Sequence, residues 1–336
     1  MLRRTLALDV TAVRSEWRGL AGVRRLASDV FVPEHVAAPA TILVCIPGGG
    51  MSRGYFDVEA PGEHGNYSMA RHLVAQGFVV VTIDPPGVGD SDVPDDGYEL
   101  TVQRVADVCA RGVDRVLAQL HDDGIDGTAI GVGHSAGAMI TTALQARHRP
   151  YSALGLFGFG NNGRVAAAEA RQRETPRNGS QMGDVFEELE ALDDPEEFRR
   201  RVAELAAARF GTPLPRSSNT STSPFLLGGM EVPEAVLDAL GQVKSNLIAV
   251  VGLTSMVSGS IAPEMAAVDV PVFLGIGERD ITGPAHAIPA AFPSAPEVLL
   301  YVLPGAGHNH NVAPNRELLW DRVATWLRTL RLDADS

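Results

Sequence analysis

The sequence predicts an α/β fold: a mostly parallel central sheet with helices on both faces and a helical insertion in the second half of the chain. Three observations predict it. Short apolar runs alternate with amphipathic stretches of helical length from about residue 41 to 158, the alternation breaks between about 161 and 267, and it resumes from 271 onward. Parallel neighbours need a crossover between them, and a helix-length stretch between two short apolar runs supplies one. A chain of 336 residues, 45% of them apolar, has material for one large core plus an insertion.

Taken in order, residues 10–32 alternate loosely and predict a lead-in pair of strands. Residues 41–46 (TILVCI) read as a buried strand, followed by a glycine-rich loop. A helix is expected over 67–76, with Gly77 just past its end, and then a strand over 78–83. In the long helix expected at 101–121, Val102, Val105, Val108, Cys109, Val113, Val116 and Leu117 recur at near-helical spacing. A strand at 128–133 leads into Ser135 and a helix at 137–147, and a strand at 153–158 follows.

Within the insertion, 164–209 is polar and helical, with Glu and Arg mixed. Residues 211–229 are rich in Pro, Ser and Thr and read as a loop or hinge, and 232–251 read as one more apolar helical stretch. The domains expected are a core of 1–160 and 268–336 and a helical cap of 161–267; an independent second domain is the alternative. Strands at 271–276 and 298–303, a helix near 285–291 and a last helix at 315–330 complete the sheet.

The chemistry concentrates at Gly133-His134-Ser135-Ala136-Gly137, a G-x-S-x-G segment between a strand and a helix. A serine on so tight a turn adopts strained backbone angles, and glycines two residues to either side avoid clashes there. The turn lifts the hydroxyl above the sheet and sets a helix N-terminus beside the oxyanion that develops on attack. His134 adjoins the serine but points the other way along the strand, so it reads as packing beside the site or as part of the pocket wall.

With these residues, most of 35–331 outside the insertion resembles the α/β-hydrolase superfamily, whose members carry serine, acid and histidine in that chain order. The resemblance implies the α/β-hydrolase fold and an esterase- or lipase-like activity. It implies Ser135 as nucleophile. Asp280 is implied as the acid, from the strand-then-G-x-x-D segment ending Gly277-Glu278-Arg279-Asp280, and His308 as the base, from Leu303-Pro304-Gly305-Ala306-Gly307-His308. Glu278 is the rival acid and His310 the rival base.

The oxyanion hole is implied at Pro47-Gly48-Gly49-Gly50-Met51, where relatives often have His-Gly. Gly49 or Gly50 with Ala136 are the expected amide donors. Asp84-Pro85-Pro86-Gly87-Val88-Gly89-Asp90-Ser91-Asp92 resembles the family's structural G-x-G-x-S loop. As a nucleotide site it lacks the third glycine.

The bulk composition narrows the partners. A net charge of −13 without a basic stripe argues against nucleic acid. Lys244 is the only lysine, which removes a P-loop and disfavours Schiff-base chemistry. Two cysteines, Cys45 and Cys109, make no disulfide framework, and Cys45 reads as a packed core thiol. No apolar run is long enough to span a membrane, and the start of the chain lacks the long apolar region of a secretory signal, so a cytoplasmic location is expected.

His308, His310 and Asp280 could share a metal, but the longer metallohydrolase patterns are missing, so neither metal nor cofactor is expected. The expected partner is a small acyl substrate, with a homodimer allowed. The pocket is expected between the sheet's loop edge and the cap, lined by Met51, Tyr55, Phe56 and His134 and by cap residues such as Phe225 and Met256. These apolar side chains favour an apolar acyl or alcohol group. A serine nucleophile leaves thioesters, lactones, amides and acyl transfer open. A ligand-binding protein that keeps the fold but turns over little is the reading from another class.

Overall fold

The computed structural model describes residues 1–11, 18–60, 67–161, 186–216 and 223–330. Its frame is an eight-stranded sheet in the order β1-β2-β4-β3-β5-β6-β7-β8. The strands are β1 (Leu2–Asp9), β2 (Arg25–Val32), β3 (Ala40–Ile46), β4 (Val79–Ile83), β5 (Gly127–His134), β6 (Ala153–Phe157), β7 (Val272–Gly277) and β8 (Val298–Leu303). From β4 across to β8 every neighbouring pair is parallel. Only β2 against β4 and the β1–β2 edge pair run antiparallel. The lead-in pair therefore exists, but its first strand is Leu2–Asp9 rather than a stretch after residue 10. Leu6 and Leu8 of β1 face inward while the intervening residues face water, the mark of an edge strand covered on one side.

Successive residues of a strand point to opposite faces, so each buried strand feeds two cores. In β3, Ile42, Val44 and Ile46 pack into one cluster with α2 (Val102–Asp122) and α3 (Ala136–His148). Leu43 and Cys45 pack into the other, with α1 (Met69–Ala75) and the C-terminal helix. The chemistry of α2 explains its start and face. Thr101 caps it by accepting from the Arg104 amide at 3.3 Å, and Val102, Val105, Val108, Cys109, Val113, Val116 and Leu120 are buried. Gly77 lies at φ 96°, one residue beyond the cap of α1, a left-handed position that suits glycine.

The described part of the insertion holds α4 (Pro195–Phe210), α5 (Pro224–Leu227), α6 (Glu234–Gln242), α7 (Ala249–Thr254) and α8 (Ala262–Ala266). Part of it has its own small core, made of Phe186, Leu189, Val202, Ala206, Ala249, Val250, Leu253 and Val257. Its final turns do not. Ile261 and Met265 pack into the main core beside α3. Of the polar stretch expected at 164–209, residues 164–185 lie outside the described residues.

The single helix expected over 232–251 is two helices. Residues 243–248 break it, because their backbone bonds elsewhere: Ser245 N–H donates to Gly50 O at 2.8 Å and Leu247 N–H to Pro215 O at 2.9 Å. The stretch at Ala285–Ala291 is a 3₁₀ segment rather than an α-helix, with Pro289 inside it. The last helix, α9 (Arg316–Thr329), closes the fold. Among the described residues no helix is long and apolar enough to cross a membrane.

Candidate active site

Ser135 stands between the end of β5 and the start of α3 with φ 54° and ψ −121°. Such a position costs a non-glycine residue about 1–3 kcal/mol and persists only where the surroundings enforce it. Here they do. The Ser135 N–H donates to Phe157 O of β6 at 2.7 Å, while its carbonyl already accepts from Ala138 and Met139 of α3. The flanking glycines are steric requirements. A Cβ on Gly133 would lie 2.4 Å from Ala138 Cα, and one on Gly137 would lie 2.1 Å from Ile46 O. The serine is only half buried, which leaves its side of the turn open.

The β7 and β8 ends bring the acid and the imidazoles to the same edge. Asp280 is buried and accepts from His308 Nδ1 at 2.8 Å on one oxygen and from His310 Nε2 at 3.1 Å on the other. Burial alone would raise its pKa. The two imidazoles outweigh that and hold it well below the usual carboxylate range. An ionised carboxylate only accepts, so His308 carries its proton on Nδ1 and keeps Nε2 as its lone-pair nitrogen.

Gly158, next in chain to the Phe157 carbonyl that holds Ser135, has room for no side chain. A Cβ there would sit 3.2 Å from both His308 Nδ1 and His308 Cε1. The imidazole thus lies over the strand end that fixes the serine. The loop carrying it is clamped from the insertion, since Leu226 O accepts from the amides of His308 and Asn309.

His134 lies behind this pair. Its Nε2 donates to His308 O at 2.9 Å, and its ring stacks on Tyr55 with centroids 4.6 Å apart. Burial, followed by the charges of His308 and His310, pushes its pKa well down, so it is neutral. With the proton on Nε2, Nδ1 is a buried lone pair without a hydrogen-bond partner, and a Cβ on Gly48 would come within 2.7 Å of it.

The glycine-rich loop after β3 passes beside the start of α3. A Cβ placed on Gly49 would lie 3.7 Å from Ala136 Cβ. Gly50 has φ 78°, a left-handed turn that a side chain would strain. The Ala136 amide, at the first position of α3, has no acceptor within the helix. Gly48, Gly49, Gly50, Met51, Ala136, Ile140, Leu247, Ile248 and Val251 are among the residues that line a narrow, mainly apolar cleft, where Leu247 Cδ1 of the insertion would lie 2.8 Å from a Cβ on Gly49. A larger cavity of about 400 Å³ lies between the start of α2 and the insertion; Ser135, Asp280 and His308 line neither it nor the cleft, which reaches the site through Ala136, next in chain to Ser135.

The loops therefore gather Ser135, Asp280, His308, Gly49, Gly50, Ala136 and Met51 at one edge of the sheet. Tyr55, Phe56 and His134 are 1%, 0% and 3% exposed. They are not among the residues that line the cleft beside Gly49. Met256 packs against the insertion's own core, away from this cleft. The side chain of Phe225 lies outside the described residues. Glu278 is exposed and accepts from the Gly305 amide, away from the imidazoles. Leu247 and Ile140 were not anticipated. No sequence signal marks Leu247, because its place over Gly49 follows from the break between α6 and α7. Among the described residues no group of three or more His, Cys, Asp or Glu side chains is arranged to hold a metal ion.

A serine at a left-handed turn after a central parallel strand, with an acid and a histidine delivered by the last two strands, defines a class of α/β enzymes with the site on the loop edge. The chain belongs to the alpha/beta hydrolase family, whose model matches residues 43–321. The whole fold is similar to a thermostable carboxyl esterase from Bacillus coagulans (TM-score 0.61, 17% identity, 98% of each chain covered). It is also similar to a proline iminopeptidase of Mycobacterium smegmatis (TM-score 0.58, 18% identity, 97% of this chain and 98% of that one). A third similar structure is an N-acyl homoserine lactonase (TM-score 0.53, 18% identity, 100% and 98%). At such identities the likeness is one of fold. Comparison with curated protein sequences gave no match.

Proposed function

We propose that the protein is a serine hydrolase that cleaves a carboxylic ester, or a related acyl bond, of a small and largely apolar substrate through an acyl-enzyme. The observation that carries this reading is the His308–Asp280 pair, whose imidazole lies over Gly158, next in chain to the Phe157 carbonyl that holds the Ser135 N–H, with its Nε2 lone pair free to act as base. His308 Nε2 takes the Ser135 hydroxyl proton as Oγ bonds to the substrate carbonyl carbon. The tetrahedral oxyanion is held by the Ala136 amide and by Gly49 or Gly50. The imidazolium then gives its proton to the departing alkoxide as the carbon–oxygen bond breaks. Water, deprotonated by the same nitrogen, releases the acid and restores the serine.

Backbone donors suit this task because they are fixed before charge develops. The apolar lining of the cleft favours an apolar acyl or alcohol group. Residues 161–267 act as its cap, with Leu247 over the oxyanion loop. The free, buried Cys45 and Cys109 fit a reducing compartment such as the cytoplasm.

Turnover of short p-nitrophenyl esters tests the reading. Wild-type protein is expected to show a burst and steady turnover, and to be labelled on Ser135 by a fluorophosphonate, as read by peptide mass spectrometry. Ser135→Ala and His308→Ala should each lose activity by several orders of magnitude and to a similar extent, because the groups act as a unit. A wild type inert to ester, thioester and lactone panels alike would overturn the proposal. Product analysis with a competing alcohol separates hydrolysis from acyl transfer.

A further inference from the structure

The hydrolase mechanism uses one oxygen of Asp280, but two imidazoles reach that carboxylate. We infer that His310 is a positioning residue of the site, whose Nε2–H holds the second oxygen of Asp280 and so fixes the plane of the carboxylate that orients His308. This inference rests on the serine-hydrolase reading above.

The geometry supports it from several sides. Asp280 Oδ2 accepts from His310 Nε2 at 3.1 Å, and both side chains are about 1% exposed, so water does not compete for the bond. A carboxylate cannot donate, so the proton of this bond sits on His310 Nε2. His310 is itself held. It packs edge-on to His134 at 5.2 Å and to Phe157 at 6.4 Å between ring centroids, and its amide donates to His308 O at 3.1 Å. The Thr282 amide also donates to Oδ1, at 3.3 Å, so without His310 both remaining donors would sit on that one oxygen and leave Oδ2 unheld. With His310 on Oδ2 a donor holds each oxygen, the plane is set and Oδ1 stays on His308.

A second donor also divides the negative charge. Losing it would concentrate that charge on the His308 bond and make His308 the stronger base. Among the described residues, the titratable groups facing Asp280 are His308, His310, His134 and Tyr55. Glu278 and Arg279 of the same loop turn away, to the Gly305 amide and the Gly228 carbonyl.

The test compares full-length wild type with His310→Gln, which can keep an N–H near the same point, and His310→Leu, which fills the space without a donor. His310→Leu is expected to lower kcat on the order of tenfold with little change in KM, and to move the acid limb of the kcat/KM profile to higher pH by several tenths of a unit. His310→Gln should recover most of both. Equal loss in the two variants with an unmoved acid limb would mean packing alone and would overturn the inference, as would full activity in His310→Leu.

A readout independent of turnover separates this from the hydrolase reading. The low-field proton resonance of His308 Nδ1–H should shift in His310→Leu and return in His310→Gln. If wild type is inert on esters but the resonance behaves so, the proposed activity fails while the positioning role stands. An unmoved resonance overturns the positioning role.

Discussion

His134 is the residue at which titration and architecture meet most directly. Its side chain is buried and neutral, one nitrogen holds the backbone of His308, and the other has no hydrogen-bond partner. When unfolded, it takes up a proton as pH falls below its ordinary value of 6.5; when folded, it does not. Its contribution to stability is therefore full above about pH 6.5 and declines as pH drops below it, with a limiting slope of about 1.4 kcal/mol per pH unit for one proton. Urea unfolding of wild type and His134→Phe between pH 5 and 8 checks this. The two stability profiles should converge as pH falls from 6.5, and parallel profiles would refute the assignment. The G-x-S-x-G segment was legible in sequence because Gly133 and Gly137 are forced by backbone contact. The neutral state of His134 was not, because it depends on burial in the folded core and then on two histidines from 174 and 176 positions along the chain.

At the scale of single elements, two local devices carry measurable weight. Ser68 caps α1 by accepting from the Arg71 amide at 3.0 Å, and its hydroxyl donates to buried Asp57 at 2.6 Å. Ser68→Ala should cost about 1–2 kcal/mol of unfolding free energy in urea titrations, from the lost cap and the lost hydroxyl bond, while Arg71 Nε still holds the same Asp57 oxygen at 2.8 Å. The break between α6 and α7 places Leu247 over Gly49. Leu247→Ala should widen the cleft and raise the kcat/KM ratio of p-nitrophenyl octanoate to acetate by roughly three- to tenfold. An unchanged ratio would remove Leu247 from the substrate path. Apolar periodicity alone predicted a continuous helix here. Periodicity records which residues seek a core, whereas the bonds from Ser245 to Gly50 and from Leu247 to Pro215 ended the helix.

Across the whole molecule, Arg53 ties the glycine-rich-loop side of the sheet to its edge strands. Its guanidinium pairs with Asp29 of β2 at 3.0 Å, with exposed Asp90, and with Asp84 at the end of β4, which is completely buried. Burial pushes the Asp84 pKa up, and the Arg53 contacts oppose it. Gly89 makes room for this carboxylate: a Cβ there would overlap Asp84 Oδ2. Removing the cation leaves a buried carboxylate unpaired, so Arg53→Leu should cost about 3–5 kcal/mol in urea unfolding. The double variant with Asp84→Asn should recover part of that loss. The sequence marked Asp84–Asp92 as a structural loop but not its cation, since Arg53 is a single arginine between a glycine turn and two aromatics with no local pattern to announce it.

By itself the sequence determined the alternating strands and helices, the interruption after β6 and the serine turn; the acid and the histidine were legible only through the resemblance to a family. The first three are local, written in apolar periodicity, glycine placement and spacing along a few residues. Only the tertiary structure decided that Asp280 serves two imidazoles, that Tyr55 stacks on His134, that the end of the insertion joins the main core, and that Leu247 closes over Gly49. Each of these pairs groups far apart in the chain, where burial and competition for hydrogen-bond partners select the contact and local pattern carries no record of the choice.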